Sequence, residues 1–262
     1  MAETTPLVDM VKVRTLILRA PGTNCDVETA FAFAQAGSVV DSAHVNQLVR
    51  GDKLISDYQI LVIAGGFTYG DDVSAGKILA NELRLKLGED IQRFADRGGL
   101  ILGICNGLQV LVKAGILPPL ANHRLTLSGN DSNRFECRWV YLRVNEKSRC
   151  LFTKGMTTLY LPVAHGEGKV VADSETLKGL DVVLRYADEA GNVRAGYPYN
   201  PNGSVDNIAG IGDGSGRIFG LMPHPERFIR WTQHPRWTRE PPREYGDGFK
   251  IFLNAVKEVK AL

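Results

Sequence analysis

The sequence predicts an α/β fold with a mostly parallel central sheet flanked by helices and an additional antiparallel portion. Two observations carry this. Through residue 114, short apolar runs with β-branched members alternate with helix-patterned segments. Strands separated by helices imply right-handed crossovers and a parallel sheet. After Pro118 the texture changes to short strand-like runs joined by turns, the pattern of antiparallel pairing.

Val13 to Leu18 reads as a buried strand, stopped by the turn-forming cluster APGTN. VETAFAFAQAG follows as a helix, with Asp26 placed to cap its start and Gly37 where a C-terminal glycine belongs. SVVDSAHV is a second strand. Tyr58 to Ala64 is a third, apolar throughout, as a strand covered on both faces should be. The glycine-rich loop GGFTYGDD comes next. Helical patterns then run from Ser74 to about Leu87 and near Glu89 to Arg97. Gly99 to Ile104 is a fourth buried strand, and a helix runs from about Asn106 to Ala114. RLTLS, RFECRWVYLRV, TLYLPVAHG, GKVVA and VVLRYA are the later strand-like runs. The next long helix is expected at about Gly246 to Val259.

Composition bounds the function. The chain has 262 residues, 44% of them hydrophobic and 23% charged, so a disordered or fibrous reading is excluded. Residues 11–262 read as a single domain, with residues 1–10 as a flexible N-terminus. Its 31 basic and 29 acidic residues create no field for nucleic acid. No apolar run is long enough to span a membrane, and MAETTPLVDMVKVR does not resemble a signal peptide. A cytoplasmic location is expected. Cys25, Cys105, Cys137 and Cys150 show no C-x-x-C spacing, which argues against a zinc site and a disulfide framework.

The most informative stretch is Gly103-Ile104-Cys105-Asn106-Gly107, entered by a strand and left by a helix. This is the context of a nucleophile elbow, with Cys in the place of Ser. A sharp turn there pushes the side chain out at the carboxyl end of the sheet. The helix N-terminus favours a thiolate. The Asn106 N–H is aimed where an oxyanion forms. The alternative is a buried structural cysteine.

A thiol nucleophile needs a base and an orienter. Of five histidines, His224 stands in LMPHPER after a strand-like run, stiffened by Pro223 and Pro225. Glu226, two residues on, falls on the same side of an extended segment. The carboxylate there would fix the tautomer of the imidazole. Taken alone, H-x-E is equally a surface pair. Gly65-Gly66 follows the third strand, and an exposed N–H at Gly66 suits the second half of an oxyanion hole. The alternative is an ordinary turn.

GICNGLQVL with MPHPE far downstream resembles the triad (class I) glutamine amidotransferases. LRAPGTNCD, GGFTYGDDVSAGKILA, NRFECRWV and PVAHGEGK extend the resemblance to the glutaminase subunits of phosphoribosylformylglycinamidine synthase, over about Leu18 to Arg227. The resemblance implies a flavodoxin-like sheet. It makes Cys105 the nucleophile, His224 the base and Glu226 the orienter, with Gly66 and Asn106 as oxyanion-hole amides. Gln109 matches a glutamine on the elbow helix that helps hold substrate. L-glutamine is the implied substrate, and its ammonia serves an amidation step in purine biosynthesis. A large synthase subunit is the implied partner, with a small third subunit in many organisms. No cofactor is expected on this chain. ATP and Mg belong to the partner, in keeping with the lack of a P-loop here.

Other segments have two readings each. His165, Glu167 and Lys169 in PVAHGEGK either shape the glutamine pocket or the docking face, or form a turn with solvated charges. His165 is the pocket candidate. Asn130, Ser132 and Arg134 are candidates for hydrogen bonds to the glutamine α-amino and carboxyl groups. Phe135 and Trp139 read as core, and Cys137 and Cys150 as structural. Cys25 falls near the sheet's carboxyl edge without a catalytic reading. Trp231 to Gly248 is either a contact surface or a loop packed on its own domain. Two competing functions remain: a stand-alone cysteine hydrolase or isomerase, and a non-catalytic scaffold subunit. The former usually keeps its His next to the elbow, where this chain has Asn106. The intact Cys105, His224 and Glu226 argue against the latter.

Overall fold

The computed structural model describes residues 12–119 and 124–261, so the reading of residues 1–10 and the histidine at 123 lie outside the described residues. A nine-stranded mixed sheet spans the molecule. Its first half contains β1 (Arg14–Arg19), β2 (Val39–His44), β3 (Ile60–Ile63) and β4 (Leu100–Ile104). Helices α1 (Asp26–Gln35), α2 (Val45–Val49), α3 (Lys77–Lys86), α4 (Gly88–Asp96) and α5 (Asn106–Lys113) connect or follow them. The second half adds β5 (Leu125–Gly129), β6 (Glu136–Val144), β7 (Thr158–His165), β8 (Glu167–Ala172), β9 (Asp181–Ala187), β10 (Ile208–Gly212) and β11 (Ile218–Leu221). Helices α6 (Ser174–Gly179) and α7 (Phe249–Lys260) complete it.

The strand order is β2-β1-β3-β4-β11-β10-β9-β6-β7, with β5 and β8 forming a separate pair. Strands β2, β1, β3, β4 and β11 run parallel. From β11 onward every pairing is antiparallel. The predicted antiparallel portion thus extends the parallel sheet. Strands β3 and β4 are buried along their whole length, which explains their unbroken apolar sequence. The sequence patterns missed α2, the short α6 and β10. At five or six residues each helix is too short to show a helical period. In β10 two glycines interrupt the apolar pattern.

Two local expectations are corrected. Asp26 does not cap α1. Cys25 holds the N-cap position without a side-chain cap, and Asp26 pairs with Arg19 at 2.7 Å. Phe135 is 52% exposed rather than core, tilted against the half-exposed Phe67 with ring centroids 6.3 Å apart. Trp139 is partly buried and packs edge-on against Phe228. Cys137 is exposed, while Cys150 is buried and its thiol is pushed up to about 12 by that burial.

Helix α5 is pressed onto the sheet where β4 ends. A Cβ on Gly107 would collide with the carbonyl oxygen of Ile63 in β3. One on Gly103 would reach Leu111 Cδ1 at 2.5 Å. Such contacts cannot relax without moving the helix off the sheet. Gly107→Ala is therefore expected to cost about 3 kcal/mol or more. Chemical denaturation checks this, and an unchanged midpoint would contradict the packing.

Candidate active site

Cys105 sits between β4 and α5 with φ 51° and ψ −105°. That conformation is rare for a residue with a Cβ and costs on the order of 1–3 kcal/mol. The elbow is held by the Cys105 N–H, which donates to Leu221 O at 2.7 Å, and by Cys105 O, which accepts from Gln109 N at 3.2 Å. The sulfur is 3.7 Å from Ala164 O at the end of β7.

His224 follows β11, and its N–H donates to Pro162 O of β7 at 2.8 Å. Its Nδ1 donates to Glu226 Oε1 at 2.6 Å, and both residues are about 1% exposed. Among the described residues its Nε2 is buried without a hydrogen-bond partner. Burial works to lower the His224 pKa. The charges of Glu226 and Cys105 outweigh it and hold His224 well above the usual histidine range. Gly65 makes room for the ring, since a Cβ there would meet His224 Cε1 at 3.0 Å.

Gly66 has φ 148°, in a loop pinned against residues 22–25 by Phe67 N to Gly22 O and Asn24 N to Gly65 O. Among the described residues, neither Gly66 N–H nor Asn106 N–H donates to a protein acceptor, so both remain available for an anionic oxygen. The Asn106 side chain has a second task. Its Oδ1 accepts from Thr68 Oγ1 at 2.7 Å, and its Nδ2 donates to Asp71 Oδ1 at 3.2 Å and Gln109 Oε1 at 2.9 Å. These bonds hold a loop in which Tyr69, Asp71 and Val73 all have positive φ.

The other candidates divide. Gln109 is buried with its amide engaged at both ends, by Asn106 and by Glu167 O, so here it ties the elbow helix to β8. Glu167 accepts from Lys113 Nζ at 2.6 Å on that same helix. Asn130 is also spent internally. Its Nδ2 donates to Arg134 O and His165 O, and its Oδ1 accepts from His165 Nδ1 at 3.0 Å. Ser132 Oγ pairs with Glu136 at 2.7 Å, and Arg134 is exposed. His165 lies beside the site, one residue after the Ala164 carbonyl. Burial first, and the charge of His224 second, push its pKa down to about 4.

Two residues escaped the sequence reading. Cys25 is buried with its sulfur 4.0 Å from His224 Nδ1, and Arg227 Nη2 donates to that sulfur at 3.1 Å. The available signals were the place of Cys25 after β1, at the carboxyl edge, and the adjacency of Arg227 to the H-P-E run. The Trp231–Gly248 excursion packs partly on its own domain. Trp231 and His234 are buried and stacked 4.8 Å apart, and Arg243 lies over Trp231. Trp237 and Tyr245 remain about half exposed.

A cysteine on a strained elbow, a buried His–Glu pair and two free amides at the carboxyl edge of a parallel sheet are the parts that nucleophilic acyl transfer by a thiol requires. The family model described as "CobB/CobQ-like glutamine amidotransferase domain" matches residues 12–258. A Dehalococcoides mccartyi protein named phosphoribosylformylglycinamidine synthase subunit PurQ is 57% identical over 95% of this chain and 98% of its own length. A Methanococcus maripaludis protein of the same name is 42% identical over 95% of this chain and 98% of its own. The solved structure titled PurLQS from Thermotoga maritima superimposes with a TM-score of 0.74 at 31% identity, covering 95% of this chain and 99% of that one. The chain belongs to the CobB/CobQ-like glutamine amidotransferase family and, within it, to the PurQ subunits of phosphoribosylformylglycinamidine synthase.

The depressed His165 makes a pH prediction. In the folded protein the ring stays neutral to about pH 4, whereas an unfolded histidine binds a proton near 6.5. The folded state is therefore fully favoured above pH 6.5, and that stability is lost as pH falls toward 4. At about 1.4 kcal/mol per pH unit the loss reaches about 3 kcal/mol. Denaturation of wild type and His165→Gln across this range should show a shallower acid slope in the variant. Equal slopes would contradict the assignment.

Proposed function

We propose that this chain hydrolyses glutamine to glutamate and ammonia and hands the ammonia to a synthase subunit. That subunit converts formylglycinamide ribonucleotide to formylglycinamidine ribonucleotide with ATP. The observation that carries the proposal is the Cys105 elbow beside a buried imidazole whose Nδ1 is held 2.6 Å from Glu226. The names of the relatives support the pathway step, and the PurLQS title supports a partner-bound assembly. ATP and Mg belong to the partner, and this chain needs no cofactor for thiol chemistry.

In this mechanism Nε2 of His224 takes the Cys105 proton, and the sulfur attacks the glutamine side-chain carbonyl carbon. The Gly66 and Asn106 N–H groups stabilise the oxyanion, the role for which free backbone donors are most effective. The carbon–nitrogen bond breaks as His224 returns its proton to the leaving nitrogen, releasing ammonia. The same nitrogen of His224 then draws a proton from water, which attacks the thioester and releases glutamate. Glu226 keeps the Nδ1 proton in place throughout, so that Nε2 is the basic nitrogen.

The test is glutamate release by the chain mixed with a matching large subunit, ATP and formylglycinamide ribonucleotide. Cys105→Ala should lose about 10⁴-fold or more, and Glu226→Gln about 10²–10⁴-fold. The chain alone should release glutamate slowly, since the acceptor site lies on the partner. Equal activity of wild type and Cys105→Ala would remove the nucleophile assignment. Full-rate hydrolysis by the isolated chain would remove the coupling to the synthase.

A further inference from the structure

The thiol of Cys25 has no part in that mechanism, yet it is buried against the base. Its sulfur, His224 Nδ1 and a Glu226 carboxylate oxygen all lie within 4.8 Å of one another. The second oxygen of Glu226 is buried and has no hydrogen-bond partner among the described residues. We propose that Cys25, His224 and Glu226 form an inhibitory site for a thiophilic divalent cation of the zinc type. Its occupation would switch off the glutaminase. The proposal rests on the reading of His224 as the base.

The donor set is what selects the ion. Thiolate, imidazole and carboxylate are the three protein ligands zinc takes, at about 2.3, 2.0–2.1 and 2.0–2.2 Å. Tetrahedral geometry at those lengths spaces the donors by about 3.3–3.8 Å. Here Sγ is 4.0 Å from Nδ1, and Nδ1 is 2.6 Å from Oε1, so shifts of about an ångström build the site. Magnesium, which prefers all-oxygen octahedral sites, does not fit. Arg227 donates to the Cys25 sulfur, and its side chain is 37% exposed. Swinging it outward frees the sulfur. Thiolate and carboxylate then cancel the two charges of the ion, so the guanidinium faces a neutral centre.

The chemistry of inhibition follows from the two ring nitrogens. Binding releases the Cys25 thiol proton to solvent and moves the single proton of the neutral His224 ring from Nδ1 to Nε2. The metal takes Nδ1, and the ring proton is fixed on Nε2. A protonated Nε2 cannot accept the Cys105 proton, and Glu226 is withdrawn from its orienting bond. No C-x-x-C spacing announces such a site, because its donors come from the start of α1 and the segment after β11.

The experiment is titration of the full chain with Co²⁺ as spectroscopic probe and Zn²⁺ as competitor, in a Cys105→Ala background that removes the elbow thiol. A thiolate-to-Co²⁺ absorption band, displaced by Zn²⁺ and untouched by Mg²⁺, is expected. Cys25→Ser in that background should abolish the band and weaken Zn²⁺ binding by about 100-fold or more. Cys25→Ala gives the same reading should the serine variant misfold. No band in Cys105→Ala overturns the proposal. A band that survives loss of Cys25 places the metal on Cys137 or Cys150 and overturns it equally. With Cys105 intact in the assembled enzyme, Cys25→Ser should keep glutamate release but resist Zn²⁺. Metal binding is read without turnover, so failure of the site and failure of the triad reading remain distinguishable.

Discussion

Helix α5 can lie on β3 and β4 only because Gly103 and Gly107 leave no side chains between them. Much of the site depends on that close approach. The turn at Cys105, between the two glycines, takes a positive-φ conformation, with the residue buried at the carboxyl edge of the sheet. The same approach places the Asn106 side chain against Thr68 and Asp71. The loop after Gly66 is thereby tied to the helix that follows Cys105. A shift of α5 would disturb Cys105, the amide of Asn106 and the loop beyond Gly66 together.

Two buried histidines stand side by side in this site and are poised in opposite directions. His224 is paired with a carboxylate, and the negative charge outweighs the cost of burial. His165 is paired with the neutral amide of Asn130, so burial prevails and the ring stays uncharged. A neutral partner is what the arrangement demands, because a second imidazolium would repel the first. Asn130 also clamps the turn before β6.

The fold was legible wherever burial imposed a simple pattern. Strands β3 and β4 announce themselves by unbroken apolar runs, and the elbow by a cysteine set between glycines after such a run. The His–Glu pair was legible because its two members are neighbours in sequence. The place of Cys25 against them was not, since its partners lie about two hundred residues away and only tertiary structure brings them together. Gln109 and Asn130 carry donors and acceptors fit for a substrate, and no local pattern shows that the protein uses them itself. Phe135 followed its hydrophobicity into a predicted core, but it precedes β6 at a turn and lies in the open against Phe67.

The most direct test of the central claim is covalent. A glutamine-like diazoketone presents its electrophilic carbon near where the amide carbon of glutamine would sit, and the nucleophile captures it irreversibly. Peptide mapping of the labelled chain, assembled with its synthase partner, should find a single adduct on Cys105. Labelling should stop in His224→Ala and be blocked by glutamine. An adduct on Cys25 or Cys137, or labelling that ignores the loss of His224, would contradict the account of the elbow as the reacting centre.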